Sequence, residues 1–384
     1  MTNSKLKKPE IGKIQMVDLI TQYANIKSEI DAEIQEVLDS AWYIGGPKVD
    51  NFKNALSTYL GIEYTIPCAN GTDALQIALM ALNLKAGDEV IVPSFTYVAT
   101  AEVIGLLGLK PVMIDVEPDS FNINVDLIKK AVTNKTKVVI AVHLFGQSTD
   151  MEPILDFAKE KNIYLIEDNA QAIGSTYTFS DGRKMKTGTM GDIGTTSFFP
   201  SKNLGCYGDG GAIFCNDEDL ATSIKMIANH GQKKKYHHSV IGCNSRLDAI
   251  QAAVLNVKLK YLDQYCERRN AVAVKYDLAF DKLTALDIPF RLNKSTHVFH
   301  QYTLKVTNGK RDELQKYLKE KGIPSMVYYP IPLYKQEAFE PLSDVKQLPV
   351  TEQLCKEVIS LPIHTEMKPE VQDFIIESVF EFFN

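Results

Sequence analysis

The sequence predicts an α/β protein with a mostly parallel central sheet, covered by helices on both faces and followed by a smaller α+β domain. Three observations carry this. From Gly61 to Phe214, short apolar runs alternate with helical stretches at the spacing of βαβ crossovers, which demands parallel strands buried on both faces. Beyond about residue 285 the alternation changes character. A chain of 384 residues can hold one large and one small domain, each with its own core. The expected division is an N-terminal segment plus large domain over 1–265 and a small domain over 266–384.

Taken in order, a helical pattern runs from Ile26 to Ser40, and Ile44-Gly-Gly-Pro47 is a turn before a second helix, Val49–Leu60. The run Tyr64–Ala69 precedes a strong helix over Thr72–Leu84. Val90–Val92, Pro111–Ile114, Val138–Val142, Ile163–Ile166 and Thr195–Phe199 read as buried strands. Thr96–Leu107, Val125–Val132 and Met151–Lys161 read as the helices between them. Residues 217–280 look largely helical around a loop at His230–Asn244. His297–Val306 reads as a strand, Arg311–Lys321 as a helix and Val327–Leu333 as an extended Pro-rich loop. Tyr177–Gly194 reads as a hairpin or loop near the strand ends.

Composition narrows the function classes. A net charge of -6 gives no basic face for a nucleic acid. No apolar run is long enough to span a membrane, and Met1–Gln15 has neither the apolar core of a signal peptide nor the make-up of a transit peptide. The six cysteines lack CxxC or zinc-like spacing, which points to reduced thiols, no metal site and a cytoplasmic protein. The adjacent pair His237 and His238 does not have metal-ligand spacing either.

In parallel sheets ligands sit at the carboxyl ends of the strands, and the polar motifs gather there. Lys202 lies in a polar turn between two apolar runs, ending at Phe199 and resuming at Ala212. It is either a solvated loop lysine or a desolvated amine available to a carbonyl. Asn70-Gly71-Thr72 opens a helix, as a plain N-cap or as an anion site built from amides and a hydroxyl. Tyr97 follows a strand and is either a core aromatic or a stacker on a flat ligand. Glu167 and Asp168 end the Ile163–Ile166 strand, where a carboxylate either caps the next turn or meets a cation such as a protonated heterocyclic nitrogen. Ser197, at a strand end, adds a possible phosphate contact. A lysine, a strand-end carboxylate, an aromatic and a helix-start phosphate site are together the parts that a pyridoxal phosphate enzyme needs.

From about Gln15 onward, the chain resembles the DegT/DnrJ/EryC1/StrS family of pyridoxal-phosphate-dependent nucleotide-sugar aminotransferases. The resemblance rests on Ala69-Asn-Gly-Thr-Asp-Ala74, Pro93-Ser-Phe-Thr-Tyr-Val-Ala-Thr100, Glu167-Asp-Asn-Ala-Gln171, Ser197-Phe-Phe-Pro-Ser-Lys202, Gly208-Asp-Gly-Gly211 and Gly242-Cys-Asn-Ser-Arg-Leu-Asp248. It implies the aspartate aminotransferase fold, type I, with a mostly parallel sheet of seven-stranded type. It also implies that Lys202 bonds the aldehyde of pyridoxal 5'-phosphate and then shuttles the proton. By the same resemblance Asp168 pairs with the pyridine nitrogen, Gln171 lies beside the ring, and Tyr97 stacks on it. Gly71, Thr72 and Ser197 hold the phosphate, joined by Asn244 of the second copy in a homodimer with shared active sites. L-glutamate is the implied amino donor and a nucleotide-linked keto sugar the acceptor.

Within the family, the chain is similar to the aminotransferases acting on UDP-2-acetamido-2-deoxy-3-oxo-glucuronate, which install the C3 amine of a diacetamido uronic acid of lipopolysaccharide O-antigen. The matching stretches are Phe199–Phe214, His230-Gly-Gln with Tyr236-His-His238, and Tyr329–Gln336. The candidate substrate residues are Arg246, whose guanidinium suits a carboxylate, with Tyr328, Tyr329, His237 and His238. Tyr328 departs from the histidine common at that position. Lys233-Lys-Lys235 either meets the donor diphosphate or is a solvated basic loop. Gly208–Gly211 reads as room for the substrate and the second copy. Three other readings are a C3 or C4 aminotransferase for a dTDP- or GDP-linked 6-deoxy keto sugar, a sugar dehydratase and a non-catalytic regulatory protein. The dehydratases carry histidine in place of Lys202.

Overall fold

The computed structural model describes residues 13–384, so most of Met1–Gln15 lies outside the described residues. Helix α1 (Leu19–Ser40) begins at Asp18, whose carboxylate accepts the Thr21 amide at 2.9 Å. It starts seven residues before the expected Ile26, because the helix is kinked at Ile26 and the apolar stripe becomes regular only beyond the kink. Helix α2 (Pro47–Leu60) has proline in its first turn and ends at Gly61 in the left-handed conformation.

The alternating region then unfolds as β1 (Tyr64–Cys68), α3 (Gly71–Ala81), β2 (Glu89–Pro93), α4 (Ala99–Leu106), β3 (Lys110–Ile114), α5 (Val125–Ala131), β4 (Thr136–Val142), α6 (Met151–Lys161) and β5 (Tyr164–Asp168). A hairpin, β6 (Thr176–Thr178) with β7 (Lys184–Lys186), intervenes before β8 (Ile193–Ser197) and β9 (Gly211–Cys215). Seven of these strands form one sheet in the order β1-β9-β8-β5-β4-β2-β3. Only β9 runs against its neighbours. Strand residues alternate between the faces. Val90, Val92, Val138, Ile140, Ile166 and Ile213 pack with α3, α4 and the later helix α7 (Glu218–Ala228). Ile91, Val139, Ala141 and Leu165 pack with α5 and α6, while Ala212 and Phe214 pack with α2 and α8 (Ala249–Leu259). Burial on both faces is what the continuous apolar runs require.

Between α7 and α8 lies a short hairpin, β10 (Gln232–Lys234) with β11 (His237–His238). Helix α9 (Leu262–Phe280) leads into a three-stranded antiparallel sheet of β12 (Leu286–Asp287), β13 (Tyr302–Val306) and β14 (Val358–Leu361). Helices α10 (Arg311–Glu320), α11 (Pro349–Glu357) and α12 (Pro369–Phe383) complete the chain. The expected strand from His297 forms only from Tyr302. Phe299 takes a positive φ of 46° and its ring stacks on His297 at 3.7 Å, so the backbone turns there.

The β6–β7 hairpin serves as a strap. Thr178 N donates to Lys294 O and Thr296 N to Thr176 O, which ties the segment before β13 to the large sheet's flank. The Tyr177 hydroxyl bonds Asp150 at the start of α6. No helix among the described residues is long and apolar enough to cross a membrane.

Candidate active site

Strand β5 delivers two carboxylates with opposite duties, because successive residues face opposite sides of a sheet. Glu167 is fully buried and saturated. It accepts the amides of Gly188, Met190 and Gly191 at 2.8, 2.5 and 2.7 Å, and His143 Nε2 at 2.8 Å. The Thr149 amide donates to His143 Nδ1, which leaves the ring proton on Nε2. Asp168 is also buried but, among the described residues, accepts only Thr100 Oγ1 at 2.8 Å and its own loop's Ala170 amide at 3.2 Å. A carboxylate can accept about four hydrogen bonds, so Asp168 keeps capacity for a cation.

One strand over, the start of α3 meets the end of β8. Asn70 caps the helix by accepting the Asp73 amide at 2.8 Å. A Cβ on Gly71 would lie 2.7 Å from Ser197 Cβ, so only glycine lets the helix start come this close to that strand end. Gly211 does the same for β9, where a Cβ would fall 2.5 Å from the Asn70 carbonyl. The GDGG bend thus closes onto its own chain. A Cβ on Gly210 would lie 3.0 Å from Leu247 and one on Gly208 2.9 Å from Gln251, so both glycines serve close packing within the chain.

Lys202 sits in the connection from β8 to β9. Lys202 N donates to Phe199 O at 2.8 Å, and Phe198 N to Gly210 O and Cys206 N to Phe198 O pin the loop at both ends. The lysine keeps partial exposure, yet protein surrounds its amine. Burial lowers it to about 8, against the opposing pull of the Asp168 carboxylate. A lysine in that range supplies free base near neutral pH.

Gln171 joins this group. Its Oε1 accepts the Phe145 amide at 2.8 Å and its Nε2 donates to the Tyr329 hydroxyl at 3.1 Å. Tyr329 stands 5.9 Å from Phe95 and 6.4 Å from Tyr97, ring to ring, with Tyr328 beside it. Tyr97 is 57% exposed, an open aromatic face at the mouth of the site. The structure therefore brings together Gly71, Thr72, Tyr97, Asp168, Gln171, Ser197, Lys202, Tyr328 and Tyr329. Sequence reasoning missed Thr100, which holds Asp168, and Phe145, whose amide fixes Gln171. The Pro93–Thr100 motif contained the first, but its hydroxyl's target lies 68 residues away.

Asn244, Arg246, His237 and His238 are placed differently. All four are exposed, and among the described residues none bonds to Lys202, Asp168 or Gln171. Asn244 bridges Asn229, and its neighbour Ser245 accepts the Ala69 amide at 3.0 Å beside the start of α3. His238 Nδ1 bonds its own loop at His230 O.

This geometry has relatives. A family model described as the DegT/DnrJ/EryC1/StrS aminotransferase family matches residues 24–380. The chain belongs to that family. It is 46% identical to the UDP-2-acetamido-2-deoxy-3-oxo-D-glucuronate aminotransferase of Pseudomonas aeruginosa, covering 91% of this chain and 95% of the relative. It is 44% identical to a pleiotropic regulatory protein of Geobacillus stearothermophilus, over 96% of this chain and 98% of that one. Among solved structures, NtdA of Bacillus subtilis with bound cofactor PMP superposes with a TM-score of 0.88 at 31% identity, covering 98% of this chain and 86% of that one. The aminotransferase's own residues fit a pyridoxal phosphate. Asp168 is a buried carboxylate with spare lone pairs, Lys202 a desolvated amine, and the Gly71–Ser197 contact a cradle that a Cβ would fill.

Proposed function

We propose that this aminotransferase moves an amino group from L-glutamate to the C3 keto group of UDP-2-acetamido-2-deoxy-3-oxo-D-glucuronate, giving the 3-amino sugar for a diacetamido uronic acid of O-antigen. The observation that carries the reaction class is the desolvated Lys202 amine facing the charge of buried Asp168. The sugar is supported by the 46% identity to the Pseudomonas enzyme along nearly its whole length.

Pyridoxal 5'-phosphate, when bound, supplies an electron sink for the carbanion formed at the amino carbon. The protein does the rest. Lys202 holds the cofactor covalently, then takes and returns the proton at the reacting carbon. Asp168 keeps the pyridine nitrogen protonated, with Thr100 orienting its carboxylate. Tyr97, through its exposed aromatic face, and Gln171 would hold the ring. Gly71, Thr72 and Ser197 receive the phosphate at the start of α3, where free amides favour an anion. Tyr328 and Tyr329 face the sugar nucleotide in the same copy, while Arg246, His237 and His238, exposed beside Asn244, would reach it from the second copy, with Arg246 on the uronate carboxylate.

The site is shared in a homodimer, with Asn244 reaching the second copy's phosphate. Support comes from the apolar groups exposed around it. Tyr236 and Ile241 are exposed in the same loop, and Trp42, Tyr43 and Ile44 are exposed where Tyr43 O accepts the Ala249 amide. The protein works in the cytoplasm. Its functional division falls within α9, near 265/266, since Leu262 packs in the large domain's core and Val272 in the small one's.

The test is mass spectrometry of products from glutamate and a panel of UDP-, dTDP- and GDP-linked keto sugars. Amination of the UDP uronate is expected. Amination of a dTDP- or GDP-linked 6-deoxy sugar instead overturns the substrate, and no reaction with glutamate favours a regulatory protein. Lys202→Ala is expected to abolish both turnover and the visible absorbance of the lysine-bound cofactor.

A further inference from the structure

Trp42 is the only tryptophan of the chain, and it is 56% exposed. Tryptophan is highly buried on average, so an exposed one calls for a reason. Its indole is nevertheless fixed. Nε1–H donates to Ile44 O at 3.1 Å. A Cβ on Gly46 would lie 2.7–2.8 Å from three adjoining ring atoms, so the glycine supports one face of the indole and a side chain there would push it away. Gly46 also has a φ of 81°, where glycine is favoured. One face is seated on the turn and the other is bare. Among the described residues Trp42 bonds only within its own turn, to Ser40 and Ile44. A fixed aromatic with one bare face is a platform for a flat ring.

The stretch beside the platform says what it faces. Residues 244–248 alternate in burial, with Asn244, Arg246 and Asp248 exposed and Ser245 and Leu247 buried. A period of two marks an extended run, and its three polar side chains share one outward face. At ~3.3 Å per residue the row is about 13 Å long. Its far end joins the tryptophan turn. Ile44 bridges Asp248, and the Ala249 amide donates to Tyr43 O at 2.9 Å. Asp248 stands at the N-cap of α8, where an aspartate ordinarily accepts an amide of the first turn. Here its side chain makes no such bond, which leaves the exposed carboxylate open to hydroxyl groups.

We propose that Trp42 is the base-stacking residue for the sugar nucleotide held in the second copy's site, its bare indole face taking the nucleobase. The inference rests on the reading above in which Asn244 and Arg246 reach across to that copy. On that reading the row runs in the order of the ligand. Asn244 meets the cofactor phosphate and Arg246 the uronate carboxylate. Asp248 suits the ribose hydroxyls, and Trp42 lies beyond it, at the end where the base must come. Stacking tolerates every base, because each has a π-face. Trp42 therefore holds the nucleotide, and other groups choose which one.

With a single tryptophan, the indole emission of the unaltered protein reports Trp42 alone. Holoenzyme is titrated with UDP, dTDP and GDP, with binding followed by calorimetry in parallel. Saturable quenching by UDP is expected over the range where calorimetry shows it binding. Quenching by dTDP or GDP alone supports the platform and overturns the uridine nucleotide as substrate. Binding of UDP with unchanged emission overturns the platform and leaves the substrate reading in place. No binding of any of the three overturns both. These titrations need no variant. Trp42→Ala is expected to weaken UDP about tenfold and to raise KM for the sugar nucleotide by as much, the loss falling on KM rather than kcat. Trp42→Phe keeps an aromatic face and is expected to stay within about threefold of the parent; an equal loss in both variants overturns stacking. Hybrid dimers of one Lys202→Ala chain and one Trp42→Ala chain test the crossing. If Trp42 serves the second copy, one site of the hybrid holds both Lys202 and Trp42 and shows the parent KM. A KM that stays raised overturns the crossing, because a platform serving its own chain leaves no hybrid site with both.

Discussion

Asp168 and Glu167 are neighbours in sequence and both are buried, yet substitution separates them. Asp168→Asn keeps an acceptor for Thr100 but removes the charge, so kcat is expected to fall by about 10²–10³-fold with the fold intact. Glu167→Gln replaces an acceptor of four donors by an amide that cannot serve them all. Each buried group left unpaired costs ~1–3 kcal/mol, so denaturant unfolding should show a loss of about 3 kcal/mol, with kcat per folded molecule nearly unchanged. A result with the two effects exchanged would mean that the carboxylate roles are reversed. The sequence placed both residues at a strand end but left their duties open. What separates them is which face each takes and what waits there, and the loop at 188–191 that saturates Glu167 is more than twenty residues on.

At the scale of elements, the start of α3 shows magnitudes in competition. Glycine to alanine inside a helix ordinarily stabilises by about 1 kcal/mol. At Gly71 the new methyl would meet Ser197 Cβ at 2.7 Å and its backbone Cα at 3.3 Å, and overpacking costs about 1–3 kcal/mol. The clash wins. Gly71→Ala is expected to lower thermal stability and to weaken cofactor binding by about tenfold or more, measured by titration of the apoenzyme. The strands were legible because burial on both faces leaves an uninterrupted apolar run. The first turns of α1 were not, since Leu19–Asn25 offers little apolar periodicity and the signal lies in the Asp18 cap. The strand from His297 was overestimated because its alternating residues suit a strand equally well. The chain turns at Phe299, where a positive φ, the stacking on His297 and the hydrogen bonds of Val298 and Phe299 to distant segments meet, and none of these is visible in the residue pattern.

For the molecule as a whole, buried bases set the response to pH. Burial pushes His297 down to about 3 and His364 to about 4, and His300 well below the ordinary 6.5. Below pH 6.5 the unfolded chain takes up protons that the folded one refuses, so stability falls as pH drops toward 4. Each of these histidines contributes about 2 kcal/mol of that loss by pH 5, which thermal melts from pH 7 to 5 will register. Lys258 acts at the other end. It is buried over the Tyr207 ring at 4.6 Å, with no carboxylate paired to it among the described residues, and burial lowers it to about 8. Between about 8 and 10.5 the unfolded chain holds the extra proton, so stability rises with pH across that window. Lys258→Met is expected to gain about 2 kcal/mol at pH 7 and to flatten that rise.

The single reversed strand of the sheet carries one more consequence. Because β9 runs against β8, the loop between them leaves and re-enters the sheet at the same end, and hydrogen bonds moor it on both sides of Lys202. Were Lys202 to carry the proton as proposed, a loop so moored would present its amine to a flat ligand from one side, and the handedness of the new carbon centre would follow from the direction of a strand.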